Sequence, residues 1–302
     1  MGNLICTPGY DGTILSSDPL GQRSPPVSSG VFFQWDCEGH PLGDITNGTS
    51  ANHPFDDVAR YNGPVSSGVI GQIVDTVPNG APHSGTRCID IGYTGDEDEV
   101  HFSLNDLRAL IGGTTNSLFC RKYERFGPGW EGAWPRGLKT GRFFTGYDIP
   151  QNGFAYLSEK MCWNDTYPST EQFGRGLNSA IGDLDLVDWY EANQLFGNGL
   201  PYLREDHWYK VETWMVLDSG VDANDGILQH WIDDVLVYDN QATPWHESNR
   251  GCPEFECLIH GTDWTNMWFG GNYTNSGIFL GGTKHRYIDD LLLSTVNERE
   301  VV

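Results

Sequence analysis

The sequence predicts an all-β protein built as a two-sheet sandwich. Three observations support this prediction: short β-rich runs recur between turn-forming residues, the 302 residues include 38 glycines and 13% aromatic residues, and one run alternates between core-type and polar side chains. Aromatic residues favour pleated surfaces and glycine permits tight turns. A chain of this length can bury a large core within one domain.

The strand-like runs place one sandwich domain at 31–302, after an extended arm at 1–30. The arm contains many turn-forming Gly, Pro and Ser residues and few apolar clusters. About ten runs predict strands, at 31–35, 68–74, 87–91, 117–126, 141–147, 154–163, 208–217, 226–238, 265–269 and 287–295. One or two short helices are expected, at 104–111 and within 183–196.

The run 208–217 gives the strongest local evidence. Successive strand side chains point to opposite faces. One face should therefore carry core residues, namely Tyr209, Val211, Thr213, Met215 and Leu217. The other face should be exposed to solvent and carry aromatic and polar side chains, namely Trp208, Lys210, Glu212, Trp214 and Val216. In the next run, Asp233 and Asp234 predict a tight turn that divides 226–238 into two short strands.

The net charge limits the classes of partner that the protein can bind. The chain has 41 acidic and 18 basic residues and a formal charge of −23, so it should repel nucleic acid and anionic membranes. It contains no apolar run long enough for a membrane span. Its first residues show no recognisable signal peptide. We expect an extracellular or virion-surface protein, either a mature chain or one released by another route, such as lysis.

The seven cysteines predict at least one free thiol or intermolecular bond, because their number is odd. Cys120 and Cys162 lie in apolar strand-like runs and are predicted to be buried thiols. Cys252 and Cys257 flank a short loop and could form a bridge. There is no CxxC pair, so a zinc ribbon is not predicted.

The segments 207–212, 224–233 and 235–239 resemble the C-terminal half of concanavalin A-like jelly-roll polysaccharide lyases of the alginate and glucuronan lyase type. In that family a W-x-x-x-E strand precedes D-G-x-L-x-x-W-x-D. The family's F-G-G and closing I-D-D strand correspond to 268–271 and 287–294, and its Arg-containing strand to 118–126. The resemblance covers roughly 115–296 and implies a concanavalin A-like jelly-roll fold.

The catalytic pattern of the family is incomplete in this sequence. One group of alginate lyases carries an Arg-x-Glu-x-Arg strand, but here Arg121 is followed by Lys122 and Tyr123. The family's Gln-x-His is replaced by adjacent Gln229 and His230. Catalysis therefore does not follow from the resemblance.

A lyase must neutralise a uronate carboxylate, remove the C5 proton and protonate the leaving oxygen. The side chains available for these roles are Arg121, Tyr123, Lys160, Lys210 and His230. Glycoside hydrolysis is an alternative, since Glu159 and Glu212 lie on separate predicted strands. The usual spacing of two acids on one strand is absent, however.

Glycan binding is predicted for Trp208, Glu212, Trp214 and Trp231, since sugar rings present C–H faces to aromatic planes. The alternative is that each tryptophan packs under a loop. Acidic clusters at 96–99, 222–225 and 289–290 could hold a structural Ca²⁺ ion, although such clusters are also typical of solvated turns. No specific metal ligands are predicted.

The first functional hypothesis is a glycan-binding or surface-display module of a larger extracellular or virion assembly. Its partners would be a polysaccharide or cell-surface glycan, and copies of itself or other assembly proteins docked through 1–30. Two alternatives stay open: a polysaccharide lyase cleaving an acidic glycan by β-elimination, and a purely structural coat or fibre protein. The incomplete catalytic pattern favours a protein without enzymatic activity.

Overall fold

A computed structural model describes residues 30–46, 53–61, 69–93, 99–129, 138–145, 156–161, 173–179, 182–184, 205–220, 222–243, 262–272 and 283–300. Within these ranges the strands are β1 (Val31–Trp35), β2 (Gly43–Thr46), β3 (Asp57–Tyr61), β4 (Val69–Val74), β5 (Cys88–Tyr93), β6 (Glu99–Leu104), β7 (Ser117–Phe126), β8 (Leu138–Thr145), β9 (Tyr156–Met161), β10 (Phe173–Ser179), β11 (Gly182–Leu184), β12 (Trp208–Val216), β13 (Gly226–Ile232), β14 (Val235–Thr243), β15 (Trp264–Asn272) and β16 (Lys284–Ser294). A short helix, α1 (Leu107–Ile111), precedes β7.

The strands form two antiparallel sheets. The first has the order β14-β13-β12-β7-β16-β5-β4-β2, with β1 also paired to β16. The second has the order β11-β10-β9-β8-β15-β6-β3. Strands far apart in sequence are neighbours, as β7 and β16 are, so the chain crosses repeatedly between the sheets. The predicted all-β sandwich is confirmed.

The core lies between the sheets and is rich in aromatic rings. Trp35 meets Phe55 edge to face, with ring centroids 5.0 Å apart, and Phe55 packs on Phe102 at 5.2 Å. All three side chains are buried. Edge-to-face and tilted ring pairs add to the stabilisation that burial of their apolar area provides.

The alternation predicted for 208–217 is confirmed on its inner side. Tyr209, Val211, Met215 and Leu217 are buried in the main core cluster. The predicted turn is also present, because Asp233 and Asp234 have φ values of 48° and 67° and join β13 to β14. Two successive residues with positive φ are typical of a type I′ hairpin, whose twist matches the flanking strands.

The helix expected at 104–111 is α1, and its N-cap Asp106 accepts a hydrogen bond from the Ala109 amide at 2.9 Å. The helix expected within 183–196 falls largely outside the described residues, although 182–184 form β11. Five strands were not predicted: β2, β3, β6, β10 and β11. No helix in the described part of the chain is long and apolar enough to cross a membrane.

Cys120 is a buried free thiol, as predicted, and so are Cys37 and Cys88. Cys162, Cys252 and Cys257 lie outside the described residues. The arm at 1–30 also lies outside them except for Gly30. Its docking role, and an extracellular or virion location, stay predictions.

Candidate functional site

The polar face is the side of the first sheet that points away from the second sheet, along β7, β12 and β16. In the register of β12 against β7, Lys210 lies opposite Tyr123 and Glu212 opposite Arg121. On the other side of β7, Asp289 of β16 also lies opposite Tyr123. Tyr123 is therefore the centre of a row that crosses three strands.

A charged cluster occupies one end of this face and consists of Arg121, Lys210, Glu212, Asp234 and Arg299. Glu212 is fully buried. Its Oε1 accepts a hydrogen bond from Arg121 Nε at 2.6 Å, its Oε2 accepts one from Arg299 Nη1, and Lys210 Nζ lies 3.8 Å from Oε2. Three cations thus surround the carboxylates of Glu212 and Asp234, and the Lys210 amide donates to a third carboxylate, Asp233 Oδ1, at 2.8 Å.

Arg299 belongs to the segment that follows β16 and crosses the end of the polar face. Its guanidinium lies over the Trp231 ring, 5.0 Å from the centroid, and Nη1 donates to Asp234 Oδ1 at 2.9 Å. Lys210 Nζ donates to the same oxygen at 2.5 Å. Burial acts to raise the pKa of Asp234, but the hydrogen bonds and charges of Lys210 and Arg299 lower it below its ordinary value.

A group of three rings, His83, Tyr123 and Trp208, lies beside the charged cluster. The His83 ring stacks on Tyr123 with centroids 3.5 Å apart and planes 20° apart. Trp208 meets His83 edge to face at 5.9 Å, and its Nε1 donates to the Ala81 carbonyl at 2.9 Å. His83 comes from the connection between β4 and β5, so this connection builds one wall of the face.

Two adjacent aspartates of β16 hold this connection. His83 Nδ1 lies 2.6 Å from Asp290 Oδ2. The Ser84 hydroxyl donates to Asp290 Oδ1 at 2.8 Å, and the Ser84 amide donates to Asp289 Oδ2 at 3.1 Å. Asp290 has a φ of 48° at an irregularity in the β16 and β7 pairing. This kink brings two consecutive carboxylates towards the same connection.

Burial sets the protonation of two groups in the row. It raises the pKa of Asp289 to about 9, and the neighbouring charge of Asp290 adds to the effect. Burial also raises the pKa of Tyr123 to about 12. Burial therefore favours the neutral, protonated form of each group, and the Tyr123 phenol can act as a hydrogen-bond donor.

The structure brings together most of the residues predicted from the sequence. Arg121, Tyr123, Lys210, Glu212 and Trp208 share the polar face. Trp214 lies on the same face, half-buried opposite Phe119. Trp231 is also on this face, but it is 8% exposed and covered by Arg299.

Two predicted catalytic residues lie elsewhere. His230 points to the inner side of the first sheet, where it is buried and its Nδ1 lies 2.9 Å from Thr213 Oγ1. Lys160 lies on β9 of the second sheet, paired with Lys139 and Gly174, and its side chain lies outside the described part. Glu159 is also on β9, so it and Glu212 are on different sheets.

Sequence reasoning missed His83, Asp290 in its contact with His83, and Arg299. All three come from irregular backbone, where no periodic pattern marks a face. The acidic pair at 289–290 was recognised, but as a calcium candidate rather than as the anchor of a histidine.

The calcium prediction concerned three acidic clusters. Residues 94–98 lie outside the described ranges. In the turn 222–225, Asp225 accepts hydrogen bonds from the Ser219 amide at 2.8 Å and hydroxyl at 2.7 Å. Within the described residues there is no group of three or more His, Cys, Asp or Glu side chains suited to a metal ion. Calcium binding stays a prediction.

No protein-family model matches the chain, and no curated protein matches it in sequence. The structure of alginate lyase Aly36B in complex with alginate trisaccharide is similar, with a TM-score of 0.52 and 13% identity over 87% of this chain and 98% of that one. The Chlorella virus alginate lyase vAL-1 gives 0.46 and 12%, over 74% and 89%. The cellulose-induced protein Cip1 gives 0.46 and 11%, over 87% and 97%.

At this level of identity the likeness concerns the fold. It agrees with the resemblance found in the sequence motifs, and it extends over nearly the whole length of Aly36B. The chain therefore has a concanavalin A-like jelly-roll fold similar to that of alginate lyase Aly36B, with a polar face of rings and cations on its first sheet.

Proposed function

We propose that the protein binds an acidic polysaccharide on the polar face of its first sheet. The observation that carries this proposal is the position of the ring group directly beside the charged cluster. Lys210 of the cluster lies opposite Tyr123 of the ring group in the strand register. A uronate sugar offers both a C–H face for a ring and a carboxylate for a cation.

The ring group supplies the apolar contact. The His83 side chain is 30% exposed, and Tyr123 and Trp208 are half-buried. Partly exposed rings that are fixed by packing or hydrogen bonds suit sugar stacking, because little side-chain freedom is lost on binding. Trp214 extends the same face by one further ring.

The charged cluster supplies the carboxylate contact. Arg121 and Arg299 keep 17% and 21% of their side chains exposed, so their remaining N–H groups can reach a ligand. The rest of the protein repels a polyanion, since the net charge is −23. Binding should therefore depend on direct contacts of the ligand carboxylate with Arg121, Lys210 and Arg299, and weaken as salt screens them. Alginate, the ligand of the Aly36B complex, is a glycan of this acidic type.

The test compares two arginines that each pair with one carboxylate through Nε at 2.6 Å. Arg121 pairs with Glu212 on the polar face, whereas Arg108 of α1 pairs with Asp263, which directly precedes β15. We expect Arg121→Met to weaken polyuronate binding by about tenfold or more in calorimetry. Arg108→Met is the matched control and should leave the Kd unchanged. Equal losses in the two variants, or no binding by the wild-type protein, would refute the proposal.

Cleavage of the bound glycan by β-elimination is the second candidate function. The observation that favours it is the stack of His83 on Tyr123, with Lys210 opposite Tyr123 in the strand register. Because the pKa of Tyr123 is raised to about 12, its phenol keeps a proton that could go to the leaving oxygen. Arg121 would neutralise the uronate carboxylate, and the His83 imidazole, stacked on Tyr123, would accept the C5 proton. The C5–H and C4–O bonds would then break as the C4=C5 double bond forms, and the Tyr123 proton would go to the leaving oxygen.

This second candidate predicts unsaturated products that absorb ultraviolet light when a uronate polymer is added. Tyr123→Phe keeps the ring and removes the hydroxyl. It should abolish the absorbance increase and change the Kd little, because the stack with His83 is kept. If the wild-type protein binds the polymer without any absorbance increase, the lyase function is refuted and binding is the only proposed function left.

A further inference from the structure

The last five residues before β5, at 83–87, form a strap that places His83 over Tyr123. The strap lies between carboxylates from two other parts of the chain. On one side are Asp289 and Asp290 of β16, which accept the hydrogen bonds of Ser84 and lie beside His83. On the other side is Glu38, which follows β1.

Glu38 makes three hydrogen bonds to the strap. Its Oε1 accepts from the Thr86 amide at 2.6 Å and from the Arg87 amide at 2.7 Å. Its Oε2 accepts from the Thr86 hydroxyl at 2.9 Å. In return, Arg87 Nη1 donates to the Glu38 carbonyl at 3.1 Å. One carboxylate therefore satisfies both backbone donors at this end of the strap.

Gly85 lies between the two anchors and permits the close approach. Its φ is +52°, and an added Cβ would overlap the Glu38 carboxylate. A residue with a side chain would thus be strained in its backbone and would also push Glu38 away. The positive φ favours glycine here, and the missing Cβ leaves room for the carboxylate that holds Thr86 and Arg87.

Glu38 is itself fixed by a turn. Cys37 has a φ of 67°, and the Glu38 amide donates to Asp36 Oδ1 at 3.1 Å. The Glu38 carboxylate contacts the strap and none of the ring or charged groups of the polar face among its described hydrogen bonds. Through these hydrogen bonds, its effect on the position of His83 passes through 83–87.

We propose that Glu38 is a positioning residue of the glycan site, which acts by holding the strap so that His83 stacks on Tyr123. This inference rests on the proposed binding function. Without Glu38, the amides of Thr86 and Arg87 are satisfied by water in many conformations of the strap. The strap regains conformational entropy, and His83 leaves the stack.

The experiment is a double-mutant cycle with Glu38→Ala, His83→Ala and the double variant, each measured for polyuronate affinity. We expect each single variant to weaken binding by a similar factor, about fivefold to tenfold. The double variant should bind no more weakly than His83→Ala alone, because Glu38 acts through His83. Glu38→Gln retains an acceptor oxygen and should restore most of the affinity. Additive losses in the cycle would overturn the inference.

A readout that needs no glycan separates this inference from the binding proposal. The ring protons of His83 should be shifted upfield in the NMR spectrum by the Tyr123 ring below them. The shift should disappear in Glu38→Ala and persist in Glu38→Gln. If the wild-type protein binds no polyuronate, the binding function fails, and the shift still decides the role of Glu38. An unchanged shift in Glu38→Ala would overturn that role.

Gly85→Ala provides a second variant that leaves Glu38 in the sequence. Its Cβ displaces the carboxylate, so it should lose the same NMR shift and the same affinity. If Glu38→Ala does not fold, the comparison of Gly85→Ala with Glu38→Gln carries the test. A normal His83 shift in folded Gly85→Ala would contradict the inference.

Discussion

The two faces of β7 carry two charged clusters that differ in their exposure to water. On the polar face, Arg121 pairs with Glu212, and the cations of that cluster are 17% to 21% exposed. On the inner face lies a second group, the inner cluster, made of Lys122, Glu124 and Arg286. Glu124 Oε1 lies 2.7 Å from Lys122 Nζ and 2.6 Å from Arg286 Nη2. All three of these side chains are fully buried.

This difference shows that strand alternation assigns a side chain to a face but does not decide whether that face is exposed to solvent. Each cluster has a fully buried glutamate bridging two cations, yet only the outer cations reach water. The inner cluster has to balance its charges within the protein, since burying an unpaired ion costs several kcal/mol. The outer cluster can exchange protein contacts for water or for a ligand.

The largest expected effect is that of Glu124→Gln. This change leaves Lys122 and Arg286 buried without their carboxylate, and we expect the free energy of unfolding to fall by about 3–5 kcal/mol. Urea unfolding measures it, provided the m-value stays unchanged.

A triple variant sharpens this result. Lys122→Met, Glu124→Leu and Arg286→Met together remove every charge of the inner cluster at similar volume. They should recover most of the lost stability, because apolar replacement of a buried ion group is often neutral or stabilising. A triple variant as unstable as Glu124→Gln would show that packing, rather than charge balance, sets the cost.

The same rule of alternation explains what the sequence could and could not predict. It placed Tyr209, Val211 and Met215 in the core and Lys210 and Glu212 on the opposite face, as the structure has them. His230 and Trp231 are adjacent in one strand, so they point to opposite sides. The prediction of both residues for a glycan site, His230 as a lyase residue and Trp231 as a binding residue, conflicts with the period of two.

The remaining site residues could not be predicted, for a physical reason. His83 reaches Tyr123 only because Asp290 and Glu38, far away in sequence, hold the strap between them. Arg299 reaches Glu212 only because the chain folds back after β16. Contacts of this kind depend on tertiary packing, and no local pattern of residues announces them. Strands such as β10 were missed because FGRGLNS lacks the apolar alternation that marks a strand.

Glu212→Gln is the counterpart of Glu124→Gln on the polar face and should have a smaller effect. Arg121 and Arg299 are partly exposed, and Arg299 keeps its hydrogen bond to Asp234. We expect a loss of about 1–2 kcal/mol in the free energy of unfolding, measured by the same urea titration. The loss should also shrink at high salt, whereas that of Glu124→Gln should not. Equal losses in the two variants would break the comparison between the faces.

A pH-dependent effect concerns Asp289, which belongs to the polar row and yet is only 1% exposed. Burial raises its pKa to about 9, with a further contribution from the charge of Asp290, whereas an unfolded aspartate titrates near pH ~4. Between these two pH values the folded protein binds a proton that the unfolded chain has lost. Its contribution to stability is therefore fully present below the lower value and is lost as pH rises towards the higher one.

The resulting slope is at most about 1.4 kcal/mol per pH unit for one group. Asp289→Asn keeps the shape of the side chain and removes its titration. From about pH 5 to about pH 8, a range that lies between the two pKa values, the free energy of unfolding of the variant should therefore rise relative to that of the wild-type protein. Urea unfolding at several pH values measures this trend.

Asp225→Asn is the control for this trend, because hydrogen bonds from Ser219 lower the pKa of that exposed carboxyl. The difference in the free energy of unfolding between Asp225→Asn and the wild-type protein should change only at acidic pH, below the ordinary pKa range of aspartate. Parallel curves for Asp289→Asn and the wild-type protein would mean that Asp289 is ionised in the fold. In that case the anchor of Ser84 would be a charged carboxylate, and the polar face would carry one more negative charge against an acidic glycan.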